Sequence, residues 1–164
     1  MPSPKRRVEP EKLVGFRVGE VAYAVRIGAV REIVNPLPVW ELPHSPPAVA
    51  GVADHRGEVV PVIDLRARFG LAAAADAGRV KWILVAVEDR SVALIVDQVT
   101  EVFTADDVDW RPAPDLGGGE DRRGIEGVTT HHGEMVFVLG LGRFADLAEA
   151  LASASVHPSG RESA

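Results

Sequence analysis

The chain has 164 residues, 46% hydrophobic and 26% charged, the composition of an ordinary globular protein long enough to bury a sizeable core. Its 24 acidic and 18 basic side chains leave a formal net charge of −6, which argues against binding nucleic acid through the bulk field. The absence of cysteine excludes disulfides, thiolate catalysis and cysteine-ligated metals, and with no apolar run of membrane-span or signal-peptide type the expected location is the cytoplasm.

Residues 1–10 hold three prolines and several charges with no apolar period, and read as a disordered leader. The fold is expected to begin near Lys12. Leu13 to Val18 and Val21 to Val25 flank Gly19-Glu20 as a hairpin, and Val30 to Val34 reads as a further strand. From Asn35 to Pro47 the run NPLPVWELPHSPP carries five prolines, which cannot join a central ladder and instead fix an extended, rigid connector. Trp40 within it could be a binding aromatic or could fold onto the nearest β unit.

Gly51 to Phe69 reads as a hairpin turning at Gly57 and followed by one helical turn, with Asp64 at the cap and Gly70 as the stop. Residues 71–79 look like a loop. Val80 to Val87 and Ser91 to Val96 form the most hydrophobic hairpin, turning at Glu88-Asp89-Arg90, and Val99 to Phe103 supplies another strand. Thr104 is a candidate cap for a short turn through Ala105-Asp106-Asp107. Gly117-Gly118-Gly119 lacks the Lys-Ser/Thr of a phosphate loop and reads as a flexible loop. Leu141, Phe144, Leu147, Ala148 and Leu151 recur at helical intervals, which predicts an amphipathic C-terminal helix; residues 153–164 read as a disordered tail.

The chain repeats itself. GVADHRGEVVPVIDL from Gly51 and GVTTHHGEMVFVLGL from Gly127 are identical at 8 of 15 positions, among them Gly51/Gly127, His55/His131 and Gly57/Gly133. Upstream, Ala24, Val30 and Glu32 recur as Ala93, Val99 and Glu101 at one constant offset. Each half has one plan: a hairpin, a Val-x-Glu strand, a connection, a Gly-Val hairpin. Two pseudo-symmetric all-β lobes follow, divided at about residues 15–80 and 81–140, each with enough short strands to close a small barrel.

Catalytic signals are missing. There is no G-x-S-x-G, no dinucleotide fingerprint and no nucleophile beside a base, so an enzyme is not expected. His55, His131 and His132 with Asp54 could be imagined as a metal site, but the repeat already accounts for His55 and His131, and no metal or cofactor is expected. Where the copies differ, Arg56 faces His132, Pro61 faces Phe137 and Asp64 faces Gly140. Arg56 is thus the candidate binding residue, with pairing to Asp64 or Asp54 as its structural alternative.

In their order, Tyr23-Ala24-Val25, Val30-Arg31-Glu32-Ile33, Leu42-Pro43, Gly51-Val52, Arg56-Gly57, Val60-Pro61-Val62-Ile63-Asp64-Leu65-Arg66, Val96-Asp97, Arg111-Pro112-Ala113-Pro114 and Ile125-Glu126-Gly127-Val128 resemble the CheW-like adaptors of bacterial chemosensory arrays over about residues 11–152. One departure is Asp54-His55, where that family usually has Asn-Leu before the Arg-Gly. The resemblance implies two five-stranded SH3-like barrels and a non-enzymatic scaffold that couples a chemoreceptor tip to the regulatory domain of a CheA-type histidine kinase. It implies receptor contacts at Val30, Glu32, Gly51 and Arg56, and a weaker kinase or ring contact at Arg111 and Leu116, where the family often has an aromatic at the latter position. The reading from another class is a stand-alone two-barrel regulatory or ligand-binding domain with no kinase partner.

Overall fold

The computed structural model describes residues 11–72, 78–105, 110–112 and 124–144. The leader, the tail, Asp106-Asp107, Gly117-Gly118-Gly119 and the helix expected beyond Phe144 lie outside them. The strands are β1 (Lys12–Val18), β2 (Val21–Arg26), β3 (Val30–Val34), β4 (Val49–His55), β5 (Glu58–Asp64), β6 (Lys81–Val87), β7 (Arg90–Val96), β8 (Gln98–Thr104), β9 (Arg111–Pro112), β10 (Ile125–His131) and β11 (Glu134–Leu139). A short helix, α1 (Leu65–Arg68), follows β5. Asp64 caps it as the sequence indicates, its Oδ1 accepting from the Arg66 amide at 3.0 Å, and Gly70 ends it at φ 77.

The strands sort into two sheets, ordered β8-β1-β2-β11-β10-β9 and β3-β6-β7-β5-β4. The orders correspond strand for strand, with β8, β1, β2, β11 and β10 matching β3, β6, β7, β5 and β4. The pairing senses correspond too: β11 runs parallel to β2 as β5 runs parallel to β7, and the other ladders are antiparallel.

The sheets do not follow the sequence halves. The first hairpin, β1–β2, joins the strands of the second half, while β6–β7 joins β3, β4 and β5 of the first. A lobe boundary near residue 80 therefore does not describe how the strands are grouped. The chain changes sheet twice in short steps: through the 3₁₀ turn Ile27–Ala29 between β2 and β3, and through Asp97 alone between β7 and β8. Each hairpin is thereby completed by strands from the other half.

Alternation along the strands feeds different cores. On β6, Ile83, Val85 and Val87 enter a central core shared by both sheets, while Trp82 and Leu84 turn the other way. On β7, Val92, Leu94 and Val96 enter the central core and Ala93 the other. This two-sided burial explains why Trp82–Val87 reads as a continuous apolar run. Beyond the central core, each sheet gathers its own cluster. All five strands of the second sheet contribute to Val34, Ala53, Val60, Val62, Trp82, Leu84 and Ala93, and the first sheet gathers Leu13, Ala24, Phe103, Val136 and Val138.

Among the described residues the ladders give two open, curled sheets, and no pairing closes either into the barrel expected from sequence. Where the C-terminal helix is expected to start, the chain forms a 3₁₀ turn, Leu141–Phe144, whose Phe144 is fully buried; Leu147, Ala148 and Leu151 lie outside the described residues. The proline connector is not extended throughout: it turns at Pro43-His44, with His44 at φ 62, and again at Pro47-Ala48. Trp40 forms an isolated bridge to Val52, with paired hydrogen bonds of 2.8 and 2.9 Å, and so covers the outer edge of β4.

Candidate functional site

Arg56-Gly57 and His132-Gly133 are the two-residue loops of equivalent hairpins, with His55 opposite Glu58 and His131 opposite Glu134. Both central residues of each loop have positive φ, at 54 and 86 in the first and 51 and 74 in the second, as a primed turn requires. The glycines fit this at no cost, and Arg56 and His132 adopt it despite their side chains. Asp54 supports the first loop by accepting from the Gly57 amide at 2.8 Å.

Each loop meets a glutamate from the strand at the opposite side of its curled sheet. Glu32 on β3 accepts from Arg56 Nη2 at 2.9 Å and lies 3.4 Å from His55 Nε2. Glu101 on β8 lies 3.2 Å from His131 Nε2 and 3.7 Å from His132 Nε2. Arg56 therefore pairs with Glu32, neither with Asp64, which caps α1, nor with Asp54, which holds the loop. Its repeat equivalent, His132, stands in the same turn position and faces the equivalent glutamate, Glu101.

The four candidate receptor contacts distribute unevenly. Glu32 and Arg56 touch, and the Arg56 side chain is 75% exposed, leaving most of its guanidinium donors to solvent. Val30 lies on β3 just before Glu32, beside a bulge, and packs against the central core. Gly51 is on β4, at the far edge of the sheet from β3. A Cβ built on it would lie 2.2 Å from the Trp40 carbonyl oxygen, so its glycine is required by the close approach of the connector. The repeat preserves this as well: a Cβ on Gly127 would lie 2.3 Å from Trp110 Cζ2. Arg111 is exposed on β9, the last strand of the first sheet, paired to Val128. Leu116 lies outside the described residues.

The imagined grouping of His55, His131, His132 and Asp54 is not assembled. His55 belongs to the second sheet and the other two histidines to the first. Sequence reasoning also missed Glu101 as the partner of His131 and His132, although Glu101 is the repeat equivalent of Glu32. A second feature it did not single out is a clamp between the sheets. The Asp97 carboxylate accepts from Arg66 Nε at 2.8 Å, from Arg66 Nη2 at 2.7 Å and from the Gly19 amide at 2.7 Å. Burial opposes the Asp97 charge, but the hydrogen bonds from Arg66 and Gly19 and the charge of Arg66 outweigh it and hold the carboxyl below its usual range.

Exposed aliphatic side chains fall at matching places on the two sheets: Ile33 and Val59 on one, Val102 and Met135 on the other, at 41, 59, 52 and 50% exposure. No helix among the described residues is long and apolar enough to cross a membrane. The described pocket, lined by Arg17, Tyr23, Glu101, His131, His132 and Glu134 among others, opens within the first sheet rather than between the two.

Comparisons with known proteins agree with this geometry. The model of the CheW-like domain matches residues 12–149. The chain is 38% identical over 130 residues to the chemotaxis protein CheW of Rhizobium meliloti (strain 1021), an alignment covering 79% of this chain and 84% of that one. It is 34% identical to the protein FrzA of Myxococcus xanthus, over 72% of this chain and 73% of that one. Among solved structures, the scaffolding protein TtCheW from Thermoanaerobacter tengcongensis is similar with a TM-score of 0.73 at 29% identity, covering 79% of this chain and 88% of that one. With a family match over most of its length and a fold similar to that of a solved scaffolding protein, the chain belongs to the CheW-like domain family.

Proposed function

We propose that the protein is a non-enzymatic adaptor that couples chemoreceptors to a CheA-type histidine kinase in a bacterial chemosensory array, on the cytoplasmic side of the membrane. The observation that carries this reading is the continuous family match over residues 12–149, laid on a fold whose exposed features are those of a binding surface. Relatives named as chemotaxis proteins and a solved scaffolding protein support it.

In this reading each curled sheet acts as a five-stranded SH3-like barrel, and the 3₁₀ turn at Leu141 continues as the amphipathic C-terminal helix. The receptor tip docks by Val30, Glu32, Gly51 and Arg56, where the guanidinium has donors left over from its bond to Glu32. The kinase regulatory domain, itself built of similar units, packs on exposed aliphatic side chains such as Val102 and Met135, which are charge-free anchors. Arg111 on the exposed end strand, with Leu116, makes the second, weaker kinase or ring contact.

The test is Arg56→Ala, titrated separately with a receptor cytoplasmic fragment and with the kinase regulatory domain. Receptor affinity is expected to fall by about 2 kcal/mol or more as a charged partner is left unpaired, with kinase affinity unchanged. Stability should change by less than about 1 kcal/mol, because the pair with Glu32 is exposed. Unchanged receptor affinity, or a loss of several kcal/mol in stability, would make Arg56 a turn-pinning residue instead.

A further inference from the structure

We propose that Glu101, His131 and His132 form a binding site for a divalent transition metal of the zinc type, a function beyond the adaptor reading. The donors come from three places, the middle of β8, the end of β10 and the loop after it, and they converge on one point. All three ligand atoms lie within 4.8 Å of one another. Both imidazole Nε2 atoms face the same carboxylate oxygen, Glu101 Oε1, at 3.2 and 3.7 Å. Tetrahedral zinc with bonds of about 2.0–2.1 Å sets its donors about 3.3 Å apart, so the side chains need only small movements to enclose an ion.

The rings are held from behind. His131 stacks on Phe103 with ring centroids 3.9 Å apart and planes 16° from parallel, and is only 24% exposed. His132 is oriented by the primed turn, with its ring centroid 4.0 Å from that of His131. The site opens to solvent on the His132 side, leaving a coordination position for water, and its three residues line the same pocket as Glu134, which Arg17 holds at 2.6 Å.

The other sheet supplies an internal comparison. There the equivalent glutamate and histidine, Glu32 and His55, are joined by Arg56, whose guanidinium already provides the cation. A guanidinium cannot ligate a metal, whereas an imidazole can. One sheet thus completes its Glu-His pair with a fixed positive charge, and the other offers three ligands in the same arrangement. The grouping set aside from sequence was His55, His131 and His132 with Asp54, the repeat accounting for His55 and His131; the structure instead gathers His131 and His132 with Glu101.

The experiment uses the untagged full chain freed of metal by chelation. Zn²⁺ is titrated by calorimetry, and Co²⁺ by visible absorption, which reports a low-coordinate site with nitrogen ligands. Saturation at one equivalent is expected, with Zn²⁺ displacing Co²⁺. His132→Arg, which copies the other sheet, and Glu101→Gln, which keeps shape and hydrogen bonding, should each weaken binding by more than about tenfold, the least that even an outer-shell change costs. Both side chains are at least half exposed, so melting temperatures in chelator should stay at the parent value. No saturable binding by the parent, or a loss below tenfold in either variant, overturns the site.

Discussion

Single side chains decide where this fold tolerates change. Gly51 lies under the connector, and any Cβ there collides with the Trp40 carbonyl, which is backbone and cannot swing away. Its φ of 148 is also unfavourable for other residues. Gly51→Ala should therefore cost about 2–4 kcal/mol in chemical denaturation, whatever it does to receptor binding. Asp97 is the other sensitive point, because its carboxylate joins Arg66 after β5 to the β1–β2 loop at Gly19. Its carboxyl is depressed in the folded protein relative to an unfolded value of about 3.9. The unfolded chain thus takes up the proton first, so the contribution of Asp97 is present above pH about 4 and is lost as pH falls below it. Asp97→Asn should cost about 2 kcal/mol at pH 7 and progressively less under acid, a convergence that paired denaturation curves at pH 7 and pH 3 would reveal.

At the scale of elements, the hairpins share loop length but not loop chemistry. The β4–β5 and β10–β11 loops place glycine second, while the β6–β7 loop is Glu88-Asp89, with φ of 47 and 68 and no glycine at all. Side chains in that region carry a conformational penalty of about 1–3 kcal/mol, against which glycine adds about 0.5–1 kcal/mol of unfolded-state entropy. Asp89→Gly is expected to raise stability by about 1 kcal/mol, read as a higher melting temperature with unchanged denaturant slope. Turn chemistry made the Gly57 and Gly133 hairpins legible from residues alone. The β6–β7 turn was legible for another reason: its flanking strands, Lys81–Val87 and Arg90–Val96, are so apolar that the consecutive charged residues Glu88, Asp89 and Arg90, the last opening β7, mark the reversal.

For the whole molecule, the exchange of hairpins predicts that neither half is a folding unit. A fragment ending at residue 76 would hold β1 and β2 without the strands that flank them, and β3 without β6. Each fragment alone should lack a cooperative thermal transition by circular dichroism, and an equimolar mixture of 1–76 and 77–164 should regain one. An independently folding half would show that the sheets can be completed locally. The sequence by itself determined the all-β class, the repeated plan, the hairpin turns, the cap at Asp64 and the family, because these depend on residue type and short spacing. Tertiary structure decided which strands share a sheet, since pairing between Val30 and Val85, or between Leu13 and Phe103, leaves no mark in local periodicity. It also decided that Arg56 meets Glu32 and that two histidines meet Glu101: curling brings strands from opposite sides of each sheet together, and contacts between residues so far apart in the chain exist only once the sheets have formed.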